Sequence, residues 1–593
     1  MEEVVARIKE VFPYDHPRSG QLELARLVYE SVSASKVLIA RYPVGFGKTA
    51  AVLAGALASG VPRIAYLAHT KSQFQAPIRE ALRLTDKGVD ITAVTLVSRK
   101  DLCLFPGKLV ADMDYNRFMK FCSLKRASGE CPYGEGASNL ELPQVLTPPL
   151  MRRMGRESGI CPYEIALRAL EKARLIVASY SYFFNPALFN LIVERGRVNL
   201  SETLLVIDEA HNLPTFISDS LSSRLNGSVL ASAIGEVQRF GGDEVAETRE
   251  ALKSLMALLD RTATDEGAEI PAEKFLEIAP ASASLSRLAL SIERRIGVLS
   301  ATWQVAEFIK SVENLPSDSV LLALNDSEGK AFKVYFYNVP RIARRVFHSV
   351  RASVLLSATL PPAEYYAALL GVEKERVVEA TYPFTWGENV TLVIVPGLSS
   401  RYVLRTAELY RRYAQAIEAV FEDPDARHVL VVFPSYSFMI EVLPYLKARP
   451  RLMERHDTTL DEMVEFLIEN EKCLLMIVAW GKFSEGVEFR LMKQSLVDTI
   501  VIAGLPVPTP SPVNQRLVRV LEASTGNREW AWKQVFLYPG LMKVIQIIGR
   551  GVRSEHDRVR VFLLDERAAE PEARSFFELY GINPLVLTRH GRR

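Results

Sequence analysis

Apolar positions change their period several times along the chain, and each change marks an element. "KVLIARYPV" (36–44) and "RIAYLAHT" (63–70) are short apolar runs, the pattern of strands buried on both faces. Between them "KTAAVLAGALASG" is helical in pattern and closes at Gly60. Strand, helix and strand within a few tens of residues make a βαβ unit, and so a parallel sheet. "ARLIVASY", "ETLLVIDEAH" and, much later, "ASVLLSATLPP" continue the series. From about residue 395 a second series begins with "RHVLVVFPSYSFM", "KCLLMIVAWGKFSEG", "LVDTIVIAGLPVP" and "RVRVFLLDE". The expected fold class is α/β, with two doubly wound domains.

Two interruptions divide the first domain. Residues 99–163 are loop-rich, with several Gly and Pro. Residues 224–338 carry helical periods at Leu252, Leu255, Met256 and Leu259, and at Leu285, Leu288, Ile292, Ile296 and Leu299. The expected division is 1–98, 164–223 and 339–394 for the first α/β domain, 99–163 and 224–338 for two insertions, and 395–593 for the second α/β domain.

"PVGFGKT" follows the first strand and opens a helix, the setting a phosphate-binding loop needs. The candidate ATP-binding stretch is Tyr42, Pro43, Val44, Gly45, Phe46, Gly47, Lys48 and Thr49. Backbone amides beside Gly45 and Gly47 would approach phosphate oxygens, and the helix N-terminus adds its positive dipole end. Lys48 would reach the β/γ-phosphates, and the Thr49 hydroxyl would ligate Mg²⁺. Tyr42 stands where the usual pattern has glycine, so a chance Gly-Lys-Thr is the competing reading. Asp208 and Glu209 in "LLVIDEAH" weigh against chance. They end an apolar strand, where parallel sheets bind ligands. Asp208 would hold the Mg²⁺ shell and Glu209 would orient and deprotonate the attacking water. A solvated acidic turn accounts for one carboxylate but not for this run.

The charge balance changes the picture little: 72 Lys and Arg against 70 Asp and Glu give +2, with no basic tail. Any nucleic-acid surface must therefore be a local groove. The N-terminus shows no apolar signal core, and no apolar run reaches the roughly 18 residues of a membrane span. The expected location is the cytoplasm, without a membrane partner. Cysteine usage matters more. Cys103, Cys122, Cys131 and Cys161 cluster with gaps of 18, 8 and 29 residues and no Cys-x-x-Cys pair. By chemistry alone they could hold an iron–sulfur cluster or zinc, or remain free thiols. Cys473, in "KCLLMIVAW", reads as a small core residue.

Gly-Lys-Thr together with Asp-Glu-Ala-His (208–211) resembles the superfamily 2 helicases, which tolerate other residues at the Tyr42 position. Further motifs match in order. "RSGQ" looks like the upstream element, with Arg18 and with Gln21 at the adenine edge. "YLAHT" resembles the turn that touches nucleic-acid backbone through Thr70. "LLSATLPP" matches the coupling motif through Ser357 and Thr359, and His211 is placed with them among the coupling or DNA-contacting residues. The similar Ser300-Ala301-Thr302 lies in a helical pattern and is set aside. "WGKFSEGVEF" matches at Gly481, Lys482, Ser484, Glu485 and Gly486, with Glu488 where Asp is usual. "QIIGRGVRSEHD" supplies Gln546, Arg550 and Arg553. The two arginines share a helix face and could act as fingers on the γ-phosphate, worth about 10³–10⁵ in rate, or could be surface charges.

With the four cysteines between the phosphate loop and Asp208, the chain resembles the XPD family of iron–sulfur DNA helicases. "YPFTWGENV" and "RYVLR" look like linker stretches of that family. The resemblance implies two RecA-like motor domains, with a 4Fe–4S domain and a helical Arch domain inserted in the first. It implies Cys103, Cys122, Cys131 and Cys161 as cluster ligands, Mg²⁺ as cofactor and ATP as substrate. It also implies 5′→3′ translocation on single-stranded and forked DNA, duplex unwinding, nucleotide excision repair with repair-protein partners, and a monomer, nucleoid-associated in a prokaryote. Tyr115, Phe118, Phe121 and Tyr133 could stack bases or simply pack their small domain. The competing functions are a nucleotide-gated DNA-binding scaffold and a translocase that displaces proteins with little unwinding.

Overall fold

Val37–Arg41 (β1) is apolar up to its last residue and buried along its whole length, and it lies inside a parallel sheet. The computed structural model describes residues 2–43, 45–106, 110, 113, 115–134, 140–240, 245–296, 300–326, 328–382, 389–455, 457–481, 483, 489–491, 494–552 and 557–587. In chain order follow β2 (Arg63–Ala68), β3 (Ala93–Leu96), β4 (Val145–Leu146), β5 (Leu175–Ser179) and β6 (Thr203–Asp208). The next four strands, β7 (Ser223–Asn226), β8 (Ala268–Glu269), β9 (Ser319–Asp326) and β10 (Gly329–Phe336), form a separate antiparallel sheet in the order β7-β10-β9-β8. β11 (Ala352–Ser357) and β12 (Val377–Thr381) return to the first sheet, which has the order β12-β1-β11-β6-β2-β5-β3-β4.

Register brings three strand ends into line. Arg41 lies opposite Ser357, and Leu356 lies opposite Asp208. The chain that leaves β1 as the glycine loop, β11 as Ser-Ala-Thr and β6 as Asp-Glu-Ala-His therefore emerges on one edge, the carboxyl edge where ligands bind in such sheets.

The second sheet is also parallel. Its strands are β13 (Val390–Ile394), β14 (His428–Phe433), β15 (Arg451–Met453), β16 (Cys473–Val478), then after the short hairpin β17 (Arg490–Leu491) and β18 (Gln494–Ser495) come β19 (Thr499–Ile502), β20 (Val559–Leu563) and β21 (Leu585–Val586). Their order is β15-β16-β14-β19-β20-β13-β21. Both faces are covered by apolar clusters, as parallel sheets require. Cys473 is fully buried in β16, and burial pushes its thiol up to about 11.

Among the described residues, the stretch expected to be helical, 224–338, contains five helices and a core of its own. Leu252, Leu255, Leu259, Leu285 and Ile292 lie in that core, as their spacing predicts, while Leu299 falls outside the described residues. The antiparallel sheet β7–β10 was not foreseen there. β9 buries consecutive apolar residues from Val320 to Ala323, so it shows no clean alternation. Ser300 starts the helix Ala301–Glu313, and its side chain accepts from Trp303 N at 3.1 Å. Glu236 accepts from the backbone amides of Ala301 (2.8 Å) and Thr302 (2.9 Å). That second Ser-Ala-Thr is thus a helix cap. In the 99–163 stretch, β4 joins the edge of the first sheet and Met151 lies in its core. Among the described residues, no helix is long and apolar enough to cross a membrane.

Candidate nucleotide site and its coupling turns

The loop after β1 turns through two glycines in the left-handed region, Gly45 (φ 79°) and Gly47 (φ 85°), where a Cβ is strained. A Cβ on Gly47 would also meet the Gln21 amide nitrogen at 2.3 Å. Gln21 is buried beneath the loop. Its Nε2 donates to Phe46 O (3.0 Å) and Gly47 O (3.3 Å), and its Oε1 accepts from Arg18 N (2.7 Å). Arg18 Nη1 donates to Gly45 O at 3.0 Å. The upstream element therefore props the loop. In this structure the Gln21 amide, expected at the adenine edge, is engaged by loop carbonyls. The helix Lys48–Ala58 begins at once, with its amide end facing the loop. Lys48 Nζ donates to Tyr42 O at 3.3 Å.

The departure at Tyr42 has a packing reason. Tyr42 is 2% exposed and lies 4.8 Å from Phe46 and 5.7 Å from Tyr382, ring centre to ring centre. Phe46 and Tyr382 are 4.8 Å apart. Three aromatics thus interlock between the loop and the chain leaving β12. Burial raises the Tyr42 phenol to about 12. Pro43 is half-buried beside them, and Val44 lies outside the described residues.

Thr49 and Asp208 face one another through Tyr66. Thr49 Oγ1 lies 3.1 Å from the Tyr66 hydroxyl, and Tyr66 and the Asp208 carboxylate are near enough to shift each other's titration. Burial holds the Asp208 carboxyl above the usual carboxylate range, the Glu209 charge adds to this, and Lys48 works against it. A hydroxyl and a half-buried carboxylate that lacks full charge compensation are hard oxygen donors, a set that suits Mg²⁺.

Glu209 takes φ 49°, a strained value for a residue with a Cβ. The turn is held from behind: Tyr180 OH donates to Glu209 O at 3.0 Å and to Asp208 O, and Tyr366 OH donates to Ala210 O. In front, Ser357 Oγ lies 3.3 Å from Glu209 Oε2 and 2.7 Å from His211 Nδ1, and His211 Nδ1 lies 3.4 Å from Glu209 Oε2. Thr359 N donates to Ser357 Oγ at 3.1 Å. Glu209, His211 and Ser357 so form a triangle in which Ser357 hydrogen-bonds the other two. Thr70 is exposed on the same sheet edge, after β2, with its hydroxyl 2.9 Å from that of Ser72.

In the second domain, Gln546 and buried Arg550 lie on the helix Tyr538–Gly551. Arg553, Ser484 and Glu485 fall outside the described residues, as do Lys482, Gly486, Glu488 and most of "YPFTWGENV". "RYVLR" is an exposed turn, with Tyr402 81% and Val403 85% accessible. Sequence reasoning missed Tyr180, Tyr366, Tyr382 and Tyr580; an isolated tyrosine carries no signature until its hydroxyl is placed.

Cys103, Cys122, Cys131 and Cys161 are all unbridged and half-buried. Burial raises the Cys103 thiol, and the fields of Cys122, Cys161 and Cys131 raise it further. Cys103 Sγ accepts from Phe105 N at 3.5 Å. Burial also raises the Cys161 thiol, while the nearby backbone amides of Glu164 and Tyr163 oppose the rise; Glu164 N donates to Cys161 O at 2.9 Å. Arg99 lies beside them, 2.9 Å from Glu164 and 4.4 Å over the Tyr163 ring. Among the described residues, no three metal-type side chains are drawn together closely enough to hold an ion. The donor chemistry nonetheless suits a thiolate-ligated cluster: four soft ligands, an amide bond to the Cys103 sulfur and an adjacent cation. Of the nearby aromatics, Phe118 is fully buried and Phe121 packs edge-on against Phe105 at 5.0 Å, whereas Tyr115 is exposed and Tyr133 half-buried.

Two parallel motor sheets with these turns on one carboxyl edge define a superfamily 2-type nucleic-acid motor. The DEAD_2 family matches residues 66–230, and the helicase C-terminal domain family matches residues 420–579. The ATP-dependent DNA helicase XPD of Sulfolobus acidocaldarius is 26% identical over 93% of this chain and 96% of its own length. The regulator of telomere elongation helicase 1 homolog of Drosophila melanogaster is 22% identical over 86% of this chain, which spans 62% of that protein. In fold, a solved XPD helicase superposes with a TM-score of 0.71 at 24% identity over 96% of this chain and 99% of its own. An apo XPD structure gives 0.64 at 21% identity over 95% and 100%. Along nearly its whole length the chain is similar to XPD helicases.

Proposed function

We propose that the chain is an ATP-dependent DNA helicase that translocates 5′→3′ on single-stranded DNA and unwinds forked duplex. The observation that carries this reading is the Glu209–His211–Ser357 triangle beside Lys48 and Thr49. It joins the residue placed to activate water to the turn that leads toward the second domain. Lys48 meets the β/γ-phosphate charge, Thr49 and Asp208 hold Mg²⁺, and Glu209 takes the proton of the attacking water. Bound Mg²⁺ supplies charge neutralisation at the phosphate oxygens. Arg550 and Arg553 approach the γ-phosphate when the domains close. Ser484, Glu485 and Thr70 contact the strand, and Gln21 and Arg18 shape the nucleotide pocket with Gln546 opposite.

We further propose a 4Fe–4S cluster on the four cysteines, supplying a rigid centre for residues 99–163, and an Arch domain at 224–338. Polarity, a role in nucleotide excision repair with repair partners, action as a monomer and a cytoplasmic, nucleoid-associated location rest on the family resemblance alone. Burial of Tyr42 among aromatics gives the unusual loop a packing role, and so removes the motive for a scaffold without turnover.

The test is ATP hydrolysis with and without single-stranded DNA, then strand displacement on 5′-tailed and 3′-tailed forks, with a visible spectrum recorded first. Stimulation by DNA and displacement from the 5′-tailed fork are expected. Hydrolysis indifferent to DNA would overturn the reading.

A further inference from the structure

The chain after the Ser-Ala-Thr turn is gripped from four sides. The Tyr580 hydroxyl accepts from Leu360 N at 3.0 Å and donates to Leu360 O at 2.8 Å. Tyr580 is fully buried in the core of the second domain, so these bonds cross from one motor domain to the other. The next carbonyl, Pro361 O, accepts from Arg41 Nη1 at 3.0 Å. Arg41 is the last residue of β1, which runs into the glycine loop. The helix Ala363–Leu369 follows.

Neighbouring residues of that helix leave in different directions. Tyr365 packs into the second domain, parallel to Trp530 at 5.5 Å (12° between planes) and 3.8 Å from Tyr538. Tyr366 points back into the first domain and gives its hydroxyl to Ala210 O, inside Asp-Glu-Ala-His. The segment 357–366 therefore holds the catalytic turn at both ends, through Ser357 at Glu209 and His211 and through Tyr366 at Ala210. Between those ends it is held by the second domain, at Leu360 and Tyr365.

We propose that segment 357–366 is a lever that sets Glu209 according to the position of the second motor domain, with Tyr580 and Tyr366 as positioning residues. The proposal rests on the helicase reading above. Its mechanics follow from the bonds. When the second domain closes, Tyr580 and Tyr365 carry Leu360 and the helix with it, and Ser357 stays on Glu209 and His211. When it opens, the same grip draws the Ser357 hydroxyl away and the base loses its orientation. Buried phenols need partners in any fold. What separates a lever from simple satisfaction is that both partners lie on one segment, one across the domain boundary and one on the turn it controls.

The test uses the full chain and two substitutions that keep each ring, Tyr580→Phe and Tyr366→Phe. ATP kcat and KM are measured with and without saturating oligo(dT). Loss of bonds of ordinary strength should lower the ratio of DNA-stimulated to basal kcat about fivefold in each variant, with KM changed by less than about twofold. The double variant should fall no further than the lower single one, because both act in one path. An unaltered ratio in Tyr580→Phe, or fully multiplicative losses in the double variant, would overturn the lever. Wild-type protein without DNA stimulation overturns the helicase reading instead, so the two failures are distinct.

Discussion

At the scale of single residues, the site depends on charge placed against phosphate and on one carboxylate held in a strained turn. Lys48 is the cation at the head of the helix that faces the loop. Lys48→Ala should cut ATP hydrolysis at least about a hundredfold, since phosphoryl transfer relies on electrostatic stabilisation of charge. A near-normal rate would show the loop to be no nucleotide site. Glu209→Gln keeps shape and hydrogen bonding but is no base, so turnover should fall about 10²–10⁴-fold while ATP binding, read by fluorescent nucleotide titration, persists. Loss of binding alone would assign Glu209 to structure. Tyr42 carries a different load. Tyr42→Ala removes a buried ring from between Phe46 and Tyr382 and should cost about 3–5 kcal/mol of stability, read as an earlier denaturation midpoint. An unchanged midpoint would mean the aromatic cluster contributes nothing to the fold.

At the scale of elements, the shared edge of β1, β6 and β11 does the work that no single motif does. Ser357 reaches Glu209 and His211 because Leu356 pairs with Asp208 across two adjacent strands. Ser357→Ala should leave DNA-independent hydrolysis in place and lower the DNA-stimulated rate about tenfold, the scale of one hydrogen bond to a charged group. Equal loss of both activities would make Ser357 part of the chemistry rather than of coupling. The strands were legible in the sequence because full burial writes continuous apolar runs, as in "LLVID" and "SVLLS". Gly45, Gly47, Lys48, Thr49, Asp208 and Glu209 were legible because phosphate chemistry demands those types at those spacings. The antiparallel sheet beside the helices was not, since β9 is buried on both faces at Val320–Ala323 and loses its alternation. Nor was the use of Gln21 as a prop, because an amide beside a loop serves a base edge or a carbonyl equally well. The tyrosines behind Asp-Glu-Ala-His were hidden for the same reason: they act through backbone carbonyls, which leave no trace in side-chain pattern.

At the scale of the whole molecule, the cysteine-bearing segment reaches from the edge of the first sheet across to the second insertion, and that bridge makes its role testable. Lys120, on the helix Tyr115–Ala127, lies 2.7 Å from Glu293 and 3.9 Å over the Trp303 ring, both in the 223–336 body. That body in turn meets the second domain through Arg516 and Glu269. The two insertions and the second domain so form a connected frame away from the edge that carries Lys48, Asp208 and Glu209. Cys103→Ser replaces one soft ligand by a hydroxyl, which should destabilise a four-thiolate cluster and loosen a segment with little apolar core to fall back on. The Lys120 contacts would lose their rigid base, while the nucleotide edge, built from β1, β6 and β11, would stay intact. DNA-stimulated ATP hydrolysis should therefore survive in part, and strand displacement should be lost. The wild type should be yellow-brown and carry about four irons per chain. A colourless, zinc-containing wild type would refute the cluster. Displacement at the normal rate by Cys103→Ser would refute the role given to the segment even with iron present, because the frame would then be separating strands without its thiolate centre.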